Sequence, residues 1–220
     1  MRSLFLALAL LAAPAAHACS VAPGYRVPTT LELVAQADAI IVAQPLDQRT
    51  GADGEPEILF ASLVILKGAP GREVKDERIL AYAPGVLAPE TAAARPSAPG
   101  ELVRPHPEAY EGGCARRTFH PKQWVVLFLK REGDDYRVIS YPFARTAEDT
   151  ALPDSRWLKA VREYIAIAAL PPAVRRARME VRRDLLKARG DPDSLAIAAD
   201  IARELTGPRK PLREPLPPVK

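Results

Sequence analysis

From residue 28 onward the apolar positions switch between two periods, and the switches mark the elements. "PTTLELVAQADA" (28–39) places Leu31, Val34 and Ala35 at helical spacing, and Thr29 or Thr30 stands where an N-cap is needed. "AIIVAQPL" (39–46) reads as a first strand. "EILFASLVILKG" (57–68) reads as a second, with Ile58, Phe60, Val64 and Leu66 on one face and Leu59, Leu63 and Ile65 on the other. A strand apolar on both faces is covered on both, or it curls around a closed barrel. "EVKDERILAYA" (73–83) returns antiparallel after the turn "KGAPG". "QWVVLFLKR" (123–131) and "YRVISYP" (136–142) form a hairpin across "GDD".

Between these strands the period disappears. Pro84, Pro89, Pro96, Pro99, Pro105 and Pro107 interrupt 84–123, which therefore reads as a long loop without a regular ladder. After residue 153 the period is helical. Asp154 or Ser155 caps a helix with Trp157, Leu158, Val161, Ile165 and Ala168 on one face. "PPAVRRARMEVRRDLLKARG" runs from a first-turn proline to Gly190. "DSLAIAADIAREL" follows Asp191-Pro192, apolar at Leu195, Ala198, Ile201, Ala202 and Leu205. The fold class expected is α+β. A small, mostly antiparallel Greek-key barrel over 19–150 precedes a short C-terminal helical bundle over 154–206, and a Pro-rich basic tail, 207–220, reads as disordered.

The first residues carry a different pattern. Arg2, the apolar run "LFLALALLAA" and the small residues Ala16 and Ala18 have the order of a secretory signal peptide over 1–18. The run is too short to span a bilayer, which takes about 20 residues. Cleavage after Ala18 leaves Cys19 at the new N-terminus, with two competing fates. One is a disulfide with Cys114, the other cysteine of the chain. The other is acylation, which would make the protein an outer-membrane lipoprotein; "AHA" is a poor match to the recognition box acylation requires. Export implies a periplasmic or secreted location.

Charge divides the chain at the same place as the period. Residues 155–220 hold 15 Lys/Arg and 8 Asp/Glu, a net of +7, while 19–154 hold 15 and 19, a net of −4. This supports a boundary near residue 150 and predicts that a chain ending near Pro153 folds alone. Export argues against nucleic acid as the partner of the basic half. Arg175, Arg178 and Arg182 can share one helical face, which is ordinarily solvated; weak contact with an anionic membrane surface is the alternative use.

The N-terminal half resembles a known family. "ACSVAPGYRVPTTLELVAQADAIIVAQPL", "LVILKG" (63–68) and "GCARRTFHPKQWVVLFL" (113–129) are similar to the opening, a strand-to-turn segment and a later cysteine-plus-strand of tissue inhibitors of metalloproteinases and their bacterial netrin-like relatives. The resemblance covers roughly 19–145 and implies an OB-type five-stranded barrel. It also implies a mechanism. The free amine and carbonyl of the N-terminal cysteine chelate the catalytic zinc of a target protease, and the next hydroxyl residue enters the adjoining pocket. Those positions are Cys19 and Ser20 here, so the partner implied is a zinc metalloprotease. The family opens with Cys-x-Cys, whereas Val21 stands at the third position in this chain.

Enzymatic motifs are missing. The chain holds no Gly-rich phosphate loop after a strand and no Gly-x-Ser-x-Gly elbow, and its histidines lack helical metal spacing. His106, Glu108 and His120 are the residues a metal would have to use, but loop histidines of this kind are ordinarily solvent-exposed. "ARRT" (115–118) likewise reads as a solvated loop. The sequence therefore points to a non-enzymatic binding module of the cell envelope, with no metal and no cofactor of its own.

Overall fold

The computed structural model describes residues 20–68, 78–98 and 100–213. The signal peptide read over 1–18 and Cys19 lie outside the described residues, as do 69–77 and 214–220. Within them, helix α1 (Thr30–Gln36) is followed by strands β1 (Ala39–Thr50), β2 (Pro56–Lys67), β3 (Leu80–Pro84), β4 (Val86–Leu87), β5 (Thr118–Phe119), β6 (Val125–Glu132), β7 (Asp135–Val138) and β8 (Ala147–Asp149). Helices α2 (Arg156–Ala168), α3 (Pro172–Arg189) and α4 (Pro192–Leu205) complete the order.

A capping box starts α1. The Thr29 hydroxyl accepts the Glu32 N–H at 3.3 Å, and the Glu32 carboxylate accepts the Thr29 N–H at 2.9 Å. Its buried residues are Thr30, Leu33 and Val34, with Leu31 half-buried. Ala35, expected on the inner stripe, is exposed, so the helix is rotated from the predicted face.

β1 pairs antiparallel with both β2 and β6, and this double pairing closes the sheet β1-β2-β3-β7-β6 on itself. The β3–β7 contact is parallel, and the remaining barrel pairings are antiparallel. The result is a closed five-stranded barrel, OB-like in form, in an α+β chain. β8 adds to the outer side of β6, a short strand not apparent in the sequence. β4 and β5 make a two-residue parallel ladder within the segment expected to be all loop. The ladder depends on Gly85, where a Cβ would meet the Arg117 carbonyl oxygen at 2.2 Å.

Alternation sorts the side chains of β1 and β6 between two cores. Ile41, Val125, Leu127 and Leu129 point into the barrel, where Phe60 and Phe119 meet edge to face at 4.9 Å. Ile40, Val42, Val126 and Phe128 point outward and are covered by helical residues including Leu33, Val34, Trp157, Leu158 and Val161. β2 departs from simple alternation. Its register against β1 slips between Val42 and Ala43, leaving Leu63 without a partner, and slips again at Leu66. A bulge of this kind reverses the faces beyond it. Ile58 and Phe60 therefore fill the barrel while Val64 and Leu66 lean on the helical side, and Leu63 is exposed. The sequence pattern had put all four of those inward residues on one face.

The C-terminal helices begin and end on expected signals. Ser155 caps α2 and Asp191 caps α4, each accepting a backbone N–H, and α3 stops at Gly190 in the left-handed region (φ 75°). On α4 the inward positions are Ile197, Ala198, Ile201 and Leu205; Leu195 is exposed. Residues 207–213, the first part of the tail expected to be disordered, are held against the N-terminal segment. Leu212 donates to the Tyr25 carbonyl and Gly24 to the Arg213 carbonyl, both at 2.9 Å.

One hydrophobic cluster runs from the outer barrel face through all four helices. This changes the expectation that the part before Pro153 folds alone: without α2, the apolar outer faces of β1 and β6 meet water. A chain truncated after Pro153 should show no cooperative unfolding transition in urea. In the full chain, Trp157→Ala should lower stability by about 3–5 kcal/mol, read from the same urea midpoint.

Candidate functional site

The long segment between β4 and β5 is ordered by polar contacts rather than by a ladder. Glu148, the middle residue of β8, is buried and accepts the Ser97 hydroxyl at 2.8 Å and the His106 N–H at 3.0 Å. Arg145 lies 3.4 Å from the same carboxylate, and its guanidinium donates to the carbonyls of Glu101 and Arg104. The guanidinium also sits 4.2 Å over the Trp157 ring, which ties the loop to α2. Arg116 pairs with Asp149 at 2.9 Å and donates to Gln123 and the Thr118 carbonyl. The "ARRT" segment is therefore only partly solvated: Arg117 is exposed, whereas the Arg116 side chain is 2% exposed.

His106 is likewise buried, contrary to the expectation of an exposed loop histidine. It caps a 3-10 turn, Pro107–Tyr110, by accepting the Glu108 N–H on Nδ1, and its Nε2 lies 3.8 Å from Asp149. Burial, reinforced by the Arg116 cation, pushes its pKa below the ordinary histidine range. The Glu108 carboxylate accepts the N–H groups of Arg117 and Thr118, both at 2.8 Å. His106, Glu108 and His120 do line one cleft, of about 210 Å³. The first two, however, are already committed to holding the loop. Among the described residues, no three His, Cys, Asp or Glu converge as metal ligands.

This scaffold presents Cys114. The chain turns through Gly112 and Gly113 into Cys114, which has left-handed backbone geometry at φ 56°. Phe143 is also left-handed, at φ 59°, and its N–H donates to the Cys114 carbonyl at 2.7 Å. Such a conformation is uncommon outside glycine and costs about 1–3 kcal/mol where it occurs. Among the described residues, two of the three non-glycine residues in that state are thus joined by one hydrogen bond. Strain concentrated in this way marks candidate functional surface.

The N-terminal segment reaches the same turn. The Tyr25 hydroxyl donates to the Pro142 carbonyl at 2.7 Å, and burial pushes the pKa of that hydroxyl up to about 12, keeping it a donor. Tyr110 and Phe143 stack with ring centres 5.7 Å apart. With Val27, Val103, Leu212 and Arg209 they line an open cleft of about 320 Å³. Tyr110 and Leu212 are more than half exposed.

Of the residues singled out in the sequence, Ser20 is exposed, and Cys114 sits at the strained joint. Cys19 is outside the described residues, and no described cysteine is a free thiol. Arg175 and Arg182 turn toward α2, while Arg178 stays exposed. Tyr110 and Phe143 gave no sequence signal, because their pairing joins positions far apart in the chain. No protein-family model matches the chain, and neither does any curated protein.

The buried imidazole has a consequence for acid stability. Because the folded state lowers the pKa of His106, the unfolded chain takes up its proton first as pH falls below about 6.5. Its contribution is thus present above that pH and lost on acidification, by at most about 1.4 kcal/mol per pH unit. His106→Asn keeps a capping side chain and removes the titration. Urea midpoints measured between pH 7 and pH 5 should fall more steeply for the original protein than for this variant.

Proposed function

We propose that this chain is an exported, non-enzymatic binding protein of the cell envelope, built on a netrin-like Greek-key OB-type barrel, that presents its N-terminal edge to a partner. A zinc metalloprotease is the partner this edge fits best. The reading is carried by one observation: the 142–143 turn holds both the N-terminal segment, through Tyr25, and Cys114, through Phe143. Cys19 lies three residues before Ala22, which accepts the Tyr25 N–H, and three residues extend at most about 10 Å. The reading takes Cys19 and Cys114 to be joined by a disulfide. It would fix the new N-terminus beside an exposed Ser20 and the apolar Tyr110–Phe143 surface.

The chemistry follows from that placement. Catalytic zinc keeps one coordination position open. An α-amine of pKa about 7.7–8.0 is partly neutral at physiological pH, and coordination favours its deprotonation further. With the Cys19 carbonyl it makes a bidentate ligand whose ordering cost is met in advance by the bridge. Ser20 is small enough to enter the neighbouring substrate pocket. The role asks nothing of the buried His106, Glu148 and Arg145 except that they hold the loop.

Two measurements test this. Cys114→Ser should cost about 2–5 kcal/mol of stability if the bridge is present, and the intact mass of the processed protein should be two protons below its reduced form. A mass several hundred daltons higher instead identifies an acylated Cys19 and a lipoprotein. Placing one alanine before Cys19 moves the amine while leaving the bridge and barrel in place. Against a panel of zinc metalloproteases, the extended form should inhibit far more weakly than the processed protein, with its melting temperature unchanged. Equal inhibition by both forms, or none by either, would rule out the zinc-chelating role.

A further inference from the structure

Helix α3 has two apolar faces, and only one is used. Met179 and Leu186 are buried in the cluster shared with the barrel. Arg175 donates to the carbonyls of Leu170 and Ala168 at the end of α2, and Arg182 pairs with Glu163. The other face carries Val174, Val181 and Leu185, spaced by seven and four residues so that they form one stripe. Each is roughly half exposed, at 47%, 51% and 52%. Scattered single apolar residues on a surface need no explanation, but three in line on one helix do.

The charge around the stripe is unbalanced. The helix contains seven basic and two acidic residues. Both acids are already paired, Glu180 with Arg176 at 3.4 Å and Asp184 with Arg183 at 2.8 Å. Arg178, set between Val174 and Val181 on the stripe, and Arg189 beside its C-terminal end are exposed and have no partner among the described residues. The uncompensated charge on this face is therefore positive.

We propose that this face of α3 is a docking surface for an anionic lipid layer, with the helix lying in the interfacial plane. Three aliphatic side chains are too few to hold a protein on a neutral bilayer, and two or three cations alone give only weak attraction; the combination is the composition of an interfacial helix. A second copy of the chain is a poorer occupant. A symmetric contact sets the patch against itself and brings the same unpaired cations together. The residues that act are Val174, Arg178, Val181, Leu185 and Arg189, whereas Arg175 and Arg182 are spent inside the fold. The proposal does not rest on the inhibitor reading, since the two involve different residues and either can fail alone.

The test is co-sedimentation of the processed full chain with vesicles of equal parts phosphatidylglycerol and phosphatidylcholine, beside vesicles of phosphatidylcholine alone. Binding is expected to the anionic vesicles and not to the neutral ones, and to weaken as salt is raised. Arg178→Gln should weaken it about fivefold, the share of one cation near such a surface. Leu185→Asp and Val181→Asp should weaken it about tenfold or more. All three positions are exposed, so melting temperatures should be unchanged; if an aspartate variant fails to fold, Arg178→Gln and the salt dependence still decide. The proposal is overturned by no binding to anionic vesicles at low salt, by equal binding to neutral ones (an acyl anchor), or by binding that none of the substitutions alters. It is equally overturned if sedimentation velocity shows a dimer that Leu185→Asp dissociates.

Discussion

One buried carboxylate organises the part of this protein that lies farthest from regular structure. Glu148 is the middle residue of a three-residue strand, almost wholly out of water, and accepts hydrogen bonds from Ser97 and His106, some 40 to 50 residues earlier in the chain. Burial pushes its pKa up and the neighbouring Arg145 guanidinium pulls it down. Taking such a pair out of water is costly, and removing one partner costs more than the pair contributes, typically about 3–5 kcal/mol. A buried ion pair of this kind is thus better read as a device for specifying one arrangement than as a source of stability. The arrangement here is the path of the described residues between β4 and β5, tied through Ser97, Glu101, Arg104 and His106 to Glu148 and Arg145. Every feature of the candidate site hangs on that path: the 3-10 turn capped by His106, the exposed Tyr110 and the left-handed Cys114.

Regular elements were legible because their causes are local. The apolar runs "AIIVAQPL" and "QWVVLFLKR" marked strands, and the helices on one side and the barrel core on the other cover both faces of each. The caps Thr29 and Ser155 are each one of the two candidates the sequence offered, and the stop at Gly190 stands where expected, since each acts on backbone groups within four residues. The bulge at Leu63 was not legible. It depends on how β2 meets the twist of its neighbour, and nothing in "FASLVIL" marks the slip. The polar network was hidden for a different reason. Arg116, Arg145 and Glu148 read as solvated charges until their partners are known, and those partners lie about 30 to 50 positions away. The candidate site was half legible: its cysteine was visible in the sequence, while the aromatic surface and the strained joint beside it were not.

The barrel and the helices divide the work. The barrel core is small, built around Phe60 and Phe119. The larger cluster lies outside it, where the helices cover β1 and β6 and Trp157 connects them to Arg145. The two are joined by a short chain of contacts: α2, the Trp157 ring, the Arg145 guanidinium and the loop carbonyls of Glu101 and Arg104.

The stitching of the two chain ends bears on when this protein can fold. Thr29, which starts the first helix, also donates its hydroxyl to Glu204 near the end of the last, 175 residues later, and Tyr25 is flanked by backbone bonds to 212 and 213. Contacts of such long sequence separation close late, after the entropy of a very large loop has been met. Tyr25 also reaches Pro142 and Thr29 also caps α1 through Glu32, but the bonds to Glu204, 212 and 213 wait for the last of these residues to be made. The place where these two segments meet is therefore completed last, after the barrel strands and the helices between them are present.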